Sequence, residues 1–187
     1  MKRGFTLIET VVVVAISAVA LIALANLFFI FNSIYGYQQA FMAAAGSSGA
    51  SMNAFELSVL PAGQILASHD FSGTTYSSGA NTLVLELPSV NSSGDIIQGT
   101  NDYVAFYTSS TKLYRLTQAA AGSVRVSELK QLSATLLSLD LTYDNADLTK
   151  ATNVIVDIQT RSSFKQQTVR SHLSEQLYLR NKQPPML

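Results

Sequence analysis

The sequence predicts an α+β fold: one long N-terminal helix, transmembrane in its first half and amphipathic in its second, packed on an antiparallel β-sheet head. Three observations carry that expectation. A long apolar stretch stands near the start, a helical periodicity continues it to about residue 60, and from about residue 68 the period switches to two. No parallel βαβ rhythm follows, so an antiparallel sheet is preferred. The 187 residues suit one domain, or one domain with an appendage.

The apolar stretch runs from Val11 to Phe31 and is interrupted only by Ser17 and Asn26. Twenty-one helical residues at about 1.5 Å each span roughly 31 Å, the thickness of a bilayer's hydrocarbon core. Lys2 and Arg3 precede the stretch, and the next basic residue after it is Lys112. The positive-inside rule therefore predicts a single-pass protein, with the N-terminus in the cytoplasm and the remainder outside the inner membrane. A cleaved secretory signal is the competing reading, since Ala18-Val19-Ala20 and Ala23-Leu24-Ala25 are small-x-small sites. Cleavage after Ala25 would leave a soluble chain beginning with five apolar residues out of six, and would give Glu9 no role.

Beyond the stretch, Ile34, Phe41, Ala45, Met52, Phe55 and Val59 recur at helical spacing and predict an amphipathic continuation. Gly46-Ser47-Ser48-Gly49 interrupts it, so the helix bends there or tertiary contacts hold it straight. Pro61 and Gly63 predict its end near residues 60 to 66.

The alternation then begins. Leu83, Leu85 and Leu87 predict one strand, and the Tyr/Val/Phe-rich 102–108 predicts another, turning at Ser109-Ser110 into 112–117 as a hairpin. Leu137, Leu139, Leu141 and Tyr143 predict a half-buried strand with its inward face on the odd numbers. Val154, Val156 and Ile158 repeat the pattern, and 168–179 reads as the last strand, although Val169, Leu173 and Leu177 would suit a helix equally well. Segments 68–81, 88–101 and 144–152 are rich in Ser, Thr, Asn, Gly and Asp and read as loops.

Composition narrows the function. Charged residues make up 13% of the chain, against about 25% in ordinary soluble domains. Basic and acidic residues balance at 12 each, and there is no cysteine. A disulfide framework, a thiolate metal site and a cysteine nucleophile are thereby excluded. Ser and Thr number 38, a hydroxyl-rich balance compatible with an envelope or extracellular protein.

The sharpest local signal is Glu9, an isolated carboxylate entering the apolar helix. At the bilayer centre such a charge costs about 3 kcal/mol, less near an interface, so it calls for a partner or for escape to the headgroups. The first nine residues, Met-Lys-Arg-Gly-Phe-Thr-Leu-Ile-Glu, resemble the class III leader of type IV prepilins and pseudopilins. The resemblance implies cleavage after Gly4 by a prepilin peptidase and N-methylation of the new terminus at Phe5. It also implies that Glu9 neutralises the terminal amine of a neighbouring subunit and so sets filament register. Removing Lys2 and Arg3 would leave 10 basic against 12 acidic residues, a net charge of −2.

The implied organisation is a leader at 1–4, a transmembrane helix at 5–31, an amphipathic continuation at 32–66 and a β-rich head at 67–187, the lollipop of a pilin. Leu179-Arg180-Asn181 is similar, more loosely, to the closing strand of minor pilins and secretion pseudopilins, as is the spacing of Phe106-Tyr107 and Leu113-Tyr114-Arg115. Major pilins commonly carry a helix-breaking Pro or Gly midway along the membrane helix and paired C-terminal cysteines. Neither occurs here, which favours a minor or tip subunit.

Other chemistry is sparse. His69 and His172 stand about a hundred residues apart, and Asp140, Asp144 and Asp147 are the best, though weak, candidates for Ca²⁺ oxygens. Asn91-Ser92-Ser93 satisfies the glycosylation sequon. No phosphate loop or nucleophile elbow is visible, so the sequence predicts no enzyme and no cofactor. Expected partners are the peptidase, other pilin or pseudopilin subunits, a membrane assembly platform and membrane lipid. Lys112, Arg115, Arg125, Lys130 and Arg161 form no run, so nucleic acid is not an expected partner. Type IV pilus, type II secretion and DNA uptake all stay open, beside an anchored binding domain that never assembles.

Overall fold

A computed structural model describes residues 6–182. The fold is α+β: one long N-terminal apolar helix, α1 (Leu7–Val59), followed by antiparallel β-sheets. The chain divides into two compact units, with the boundary between Ala40 and Phe41.

In the first unit, Thr6–Asn32 is exposed throughout, large Val, Leu, Ile and Phe side chains included. Among the described residues, α1 holds the one stretch long and apolar enough to cross a membrane. Apolar side chains on every face, none covered by the chain itself, are what lipid or other helices would cover.

The second unit is built on residues 41–59 of α1. Its buried residues are Ala44, Ser48, Ser51, Met52, Ala54, Phe55, Ser58 and Val59. This differs from the predicted stripe, because Ile34 and Phe41 are about half exposed. Small residues line the inward face instead, which lets strand backbone come close. Gly46 and Gly49 do not interrupt the helix. Both lie on its exposed face, and hydroxyls between them bond across to the sheets: Ser47 Oγ to Ser133 Oγ at 2.9 Å and Ser48 Oγ to Ser171 Oγ at 3.0 Å. The helix stops at Val59, just ahead of Pro61, slightly short of the predicted end.

The strands are β1 (Gln64–Leu66), β2 (Ser68–Phe71), β3 (Thr74–Ser77), β4 (Thr82–Val90), β5 (Ile96–Ser109), β6 (Lys112–Gln118), β7 (Glu128–Ser133), β8 (Leu136–Tyr143), β9 (Asn153–Phe164) and β10 (Gln167–Tyr178). Five of them form a sheet in the order β1-β4-β5-β6-β7, three form a second in the order β10-β9-β8, and β2-β3 is a separate hairpin; every one of these neighbouring pairs is antiparallel. The main core lies between α1 and the inner faces of both larger sheets. Phe55 stacks on Phe106 at 4.0 Å at its centre, with Leu83, Leu85, Val156 and Ile158 around them. A smaller core of Phe71, Val84 and Ala105 sits where β2-β3 covers the opposite face of the five-stranded sheet.

Several expectations need correction. The 68–81 segment is largely the β2-β3 hairpin, turning at Ser72-Gly73 with both φ positive, and its polar strands bury little beyond Phe71. The 88–101 segment is mostly strand, since β4 and β5 extend through it to a short turn at 91–95. β7 has no counterpart in the sequence reading, because its Glu-Leu-Lys-Gln-Leu-Ser lacks β-branched residues and lies at a sheet edge. In β8 a bulge between Leu136 and Ser138 shifts the register. Leu136 is therefore buried and Leu137 is 38% exposed, although Leu139 and Leu141 face inward as predicted.

Candidate functional site

The helix start is the first candidate. Thr6 precedes the first helical residue, and its N–H donates to Glu9 Oε2 at 3.4 Å. Thr10 Oγ1 donates to the carbonyls of Thr6 and Leu7, both at 3.0 Å. A Thr-x-x-Glu start in which the glutamate reaches back to the N-cap N–H is one half of a capping box. The sequence pattern alone could have found this role for Glu9, as a Thr three residues before a Glu ahead of an apolar run is its signature. The carboxylate also sits where the positive end of the helix dipole favours an anion. Gly4 and Phe5, the predicted cleavage and methylation positions, lie outside the described residues.

The remaining candidates do not converge. Asp140 on β8 stands directly opposite Asp157 on β9. Asp157 in turn holds His172, Oδ2 to Nε2 at 2.7 Å. Asp144 is committed to its own loop: it accepts from the Thr152 N–H, Thr152 Oγ1 and Asn153 Nδ2 at 2.5 to 3.0 Å. Desolvation pushes its carboxyl up, but the Thr152 hydroxyl and backbone donors outweigh it and hold the group below the usual carboxylate range. Asp147 caps the short 3₁₀ turn Leu148–Lys150 and pairs with Lys150 at 3.0 Å. The three predicted calcium ligands are thus spread over a strand and two turn braces. Among the described residues, no three His, Asp or Glu side chains are grouped as a metal ion requires. His69 packs instead, stacked on Tyr103 at 3.7 Å with Nε2 3.1 Å from Gln118 Oε1.

A cleft of about 290 Å³ contains Gln64, Glu86 and Asn101. Its one carboxylate, Glu86, already accepts from Gln64 Nε2 at 2.7 Å and from Asn101 Nδ2.

One charged cluster was invisible in the sequence. Asp102 on β5 is fully buried and accepts four hydrogen bonds: from Ser123 Oγ and Arg125 Nη1 at 2.7 Å, from the Ala120 N–H at 2.8 Å and from Ser89 Oγ at 2.9 Å. Burial pushes this carboxyl up, yet the Ser123, Ala120, Arg125 and Ser89 donors together hold it below its ordinary value. The knot pins the 119–127 loop, where Val124 and Val126 are exposed. Its partners are far apart in sequence and leave no local signature.

Residues 1–25 match the family model described as the prokaryotic N-terminal methylation motif. The chain carries a type IV prepilin-like leader. The matched residues include Gly4, Phe5 and Glu9, and they run on into the apolar part of α1. A prepilin-like leader followed by a helix of this apolarity supports a single-pass membrane anchor and points to a pilin or pseudopilin structural subunit rather than an enzyme. It also implies a prepilin peptidase and other pilin subunits as partners. No curated protein and no solved structure matches the chain.

Proposed function

We propose that this protein is a prepilin-type structural subunit, cut between Gly4 and Phe5, N-methylated on Phe5 and assembled into a type IV pilus or pseudopilus as a minor or tip component. The observation that carries the reading is the N-terminal methylation motif over residues 1–25, continuous with an apolar helix that the rest of the chain leaves uncovered.

The mechanism is mechanical. Lys2 and Arg3 direct insertion with the N-terminus in the cytoplasm and are then removed. The Val11–Phe31 surface lies in lipid until assembly, when neighbouring helices and the assembly platform replace the lipid contacts. An arriving subunit brings a methylated amine at Phe5, and the Glu9 carboxylate of its neighbour pairs with it in a medium of low dielectric, where a one-turn slip would leave both charges unpaired. Charge pairing of this kind fixes axial position, as apolar packing alone does not. The absence of a Pro or Gly between Phe5 and Tyr35, and the loose likeness of Leu179-Arg180-Asn181 to a minor-pilin ending, support the minor role.

The test is the intact mass and first residue of the protein from its native membrane. A chain starting at N-methylated Phe5 supports prepilin processing. A start at Met1 in a host that processes its other prepilins would favour an anchored, unassembled binding domain, and a start near Asn26 would make the protein a secreted one.

A further inference from the structure

The β9-β10 hairpin gathers three cations that the sequence keeps apart. Arg161 on β9 and Arg170 on β10 are register partners, directly opposite one another. Side chains so placed have Cβ atoms about 5 Å apart, and a like-charged pair there is destabilising. Lys165 occupies the turn between them. Both arginines and Lys165 are exposed, and none of the three takes part in the ion pairs found among the described residues. From Ile158 to Ser174 the segment contains no Asp or Glu. The nearest carboxylate on that face, Asp157, is held by His172. Asp140 stands opposite Asp157, so the face grades from acidic at that end to basic at the turn.

The turn itself is unusual. Phe164 pairs with Gln167, leaving a two-residue loop of Lys165 and Gln166 with φ of 46° and 66°. A loop with both residues left-handed ordinarily takes Asn-Gly. Here it holds a lysine whose Nζ lies 5.3 Å from the Phe164 ring. Local backbone preference did not choose this residue.

The hairpin's direction within its unit follows from its contacts. At one end, the Arg180 N–H bonds to the Leu60 carbonyl at 3.2 Å. Further along, Thr160 Oγ1 bonds to the Ala44 carbonyl at 2.7 Å and Ser48 meets Ser171. The strands therefore run from the Leu60 level of the helix towards its Phe41 end, and Lys165 in the turn lies five residues beyond Thr160. Nine residues, 32–40, lie between Phe41 and Phe31, the end of the apolar stretch. Whatever their path, they tether the two by no more than about 35 Å.

We propose that the Arg161, Lys165 and Arg170 surface of this hairpin is a docking site for anionic phospholipid headgroups, held against the bilayer while the subunit waits in the membrane. The proposal rests on the reading that Val11–Phe31 spans the membrane. An anion lying between or beneath two guanidiniums, each able to grip a phosphate by two N–H groups, offsets their mutual repulsion. A membrane surface is favoured over nucleic acid because the patch is small, lies at a turn on the Phe41 side of its own unit and carries no row of exposed aromatic side chains for bases to stack on. Each cation near an anionic surface raises association by about fivefold. Leaving the membrane for a filament would release these contacts, so lipid composition would bias assembly.

The test uses the full chain in bilayers of phosphatidylcholine alone or mixed with phosphatidylglycerol. Because the sequence has no cysteine, a single fluorophore can be placed by Thr168→Cys, on the exposed face of the hairpin, and separately by Leu21→Cys in the apolar stretch. The expected result is quenching of the Thr168→Cys label by headgroup-labelled lipid in the anionic bilayer. It should weaken in phosphatidylcholine alone and at high salt, and fall at least tenfold in apparent affinity with Arg161→Gln and Arg170→Gln together. Both arginines are exposed, so these changes leave the core intact. Equal quenching in both bilayers, or none while the Leu21→Cys label is quenched by acyl-chain probes, overturns the proposal and leaves the spanning reading standing. Failure of the Leu21→Cys label to be quenched overturns both. A response to an oligonucleotide without one to anionic lipid overturns it in favour of nucleic acid.

Discussion

Thr160 Oγ1 donates to the carbonyl of Ala44 at 2.7 Å, and both residues are fully buried. The bond joins β9 to α1 where the helix carries small side chains, and it is possible only because alanine at 44 lets the strand approach. The Ala44 carbonyl is inside a helix, so the threonine supplies a second bond to an oxygen that has two lone pairs.

Thr160→Val keeps the shape and removes the donor. We expect a loss of about 1 kcal/mol, the net worth of one buried hydrogen bond, seen as a lower denaturation midpoint of the detergent-solubilised chain. Thr160→Ser, which keeps the donor, should recover most of the bond's share. A loss in Thr160→Ser as large as that in Thr160→Val would mean that the methyl group contributes as much as the bond, and no loss in Thr160→Val would mean that the bond contributes nothing.

Asp102 should be far more costly to change. Asp102→Ala leaves Arg125 unpaired and strands the donors of Ser89, Ser123 and Ala120, so a loss of about 3 kcal/mol or more is expected. The 119–127 loop should become accessible to protease in the same variant.

The pH dependence of that carboxylate follows from its lowered native value. The unfolded chain binds this proton more readily than the native one, so the stabilisation is fully present above about pH 4. It is lost as pH falls through the native value, and Asp144 acts in the same direction. Denaturant melts from pH 7 to pH 3 should show this acid limb, flatter in Asp102→Asn than in the parent chain.

Gly46→Ala and Gly49→Ala should each stabilise the protein. A Cβ at either position meets nothing within 4 Å, and an exposed helical glycine costs up to about 1 kcal/mol relative to alanine. A rise in melting temperature of the full chain is the expected outcome, and a fall would mean that the helix is not continuous there.

These cases show where the sequence could be read and where it could not. Leu83, Leu85, Val154, Val156 and Ile158 declared their strands because each lies on a face turned to the main core, and apolar periodicity reports burial. Ser109-Ser110 declared a hairpin because a turn's chemistry is local. The β2-β3 hairpin and β7 bury too little to leave a period. Leu137 was assigned inward because a bulge adds one residue, which no alternation can reveal. Phe41 was assigned to the buried stripe on apolarity, whereas the inward face went to Ala44 and Ser48 because the sheet comes close. The Asp102 knot and the Arg161–Arg170 pair join residues whose proximity exists only after folding. At the helix start the motif was legible in full, but the bond from Thr6 to Glu9 gives that carboxylate a second duty, as a helix cap.

Glutamine can separate the two duties of Glu9. It serves the N3 position of a capping box nearly as well as glutamate, yet it carries no charge to pair with a methylated amine. If capping is the essential role, Glu9→Gln should assemble normally and Glu9→Val should not. If charge pairing sets register, as we propose, Glu9→Gln should fail as Glu9→Val does, with membrane insertion and helix content unchanged in both. The intact mass of each variant must first show a start at Phe5, so that a failure of processing is not read as a failure of assembly. Sheared-filament fractions then decide it. Wild-type levels of the Gln variant in the filament would remove the register role and leave Glu9 as a helix cap, whereas its retention in the membrane would assign the requirement to the charge.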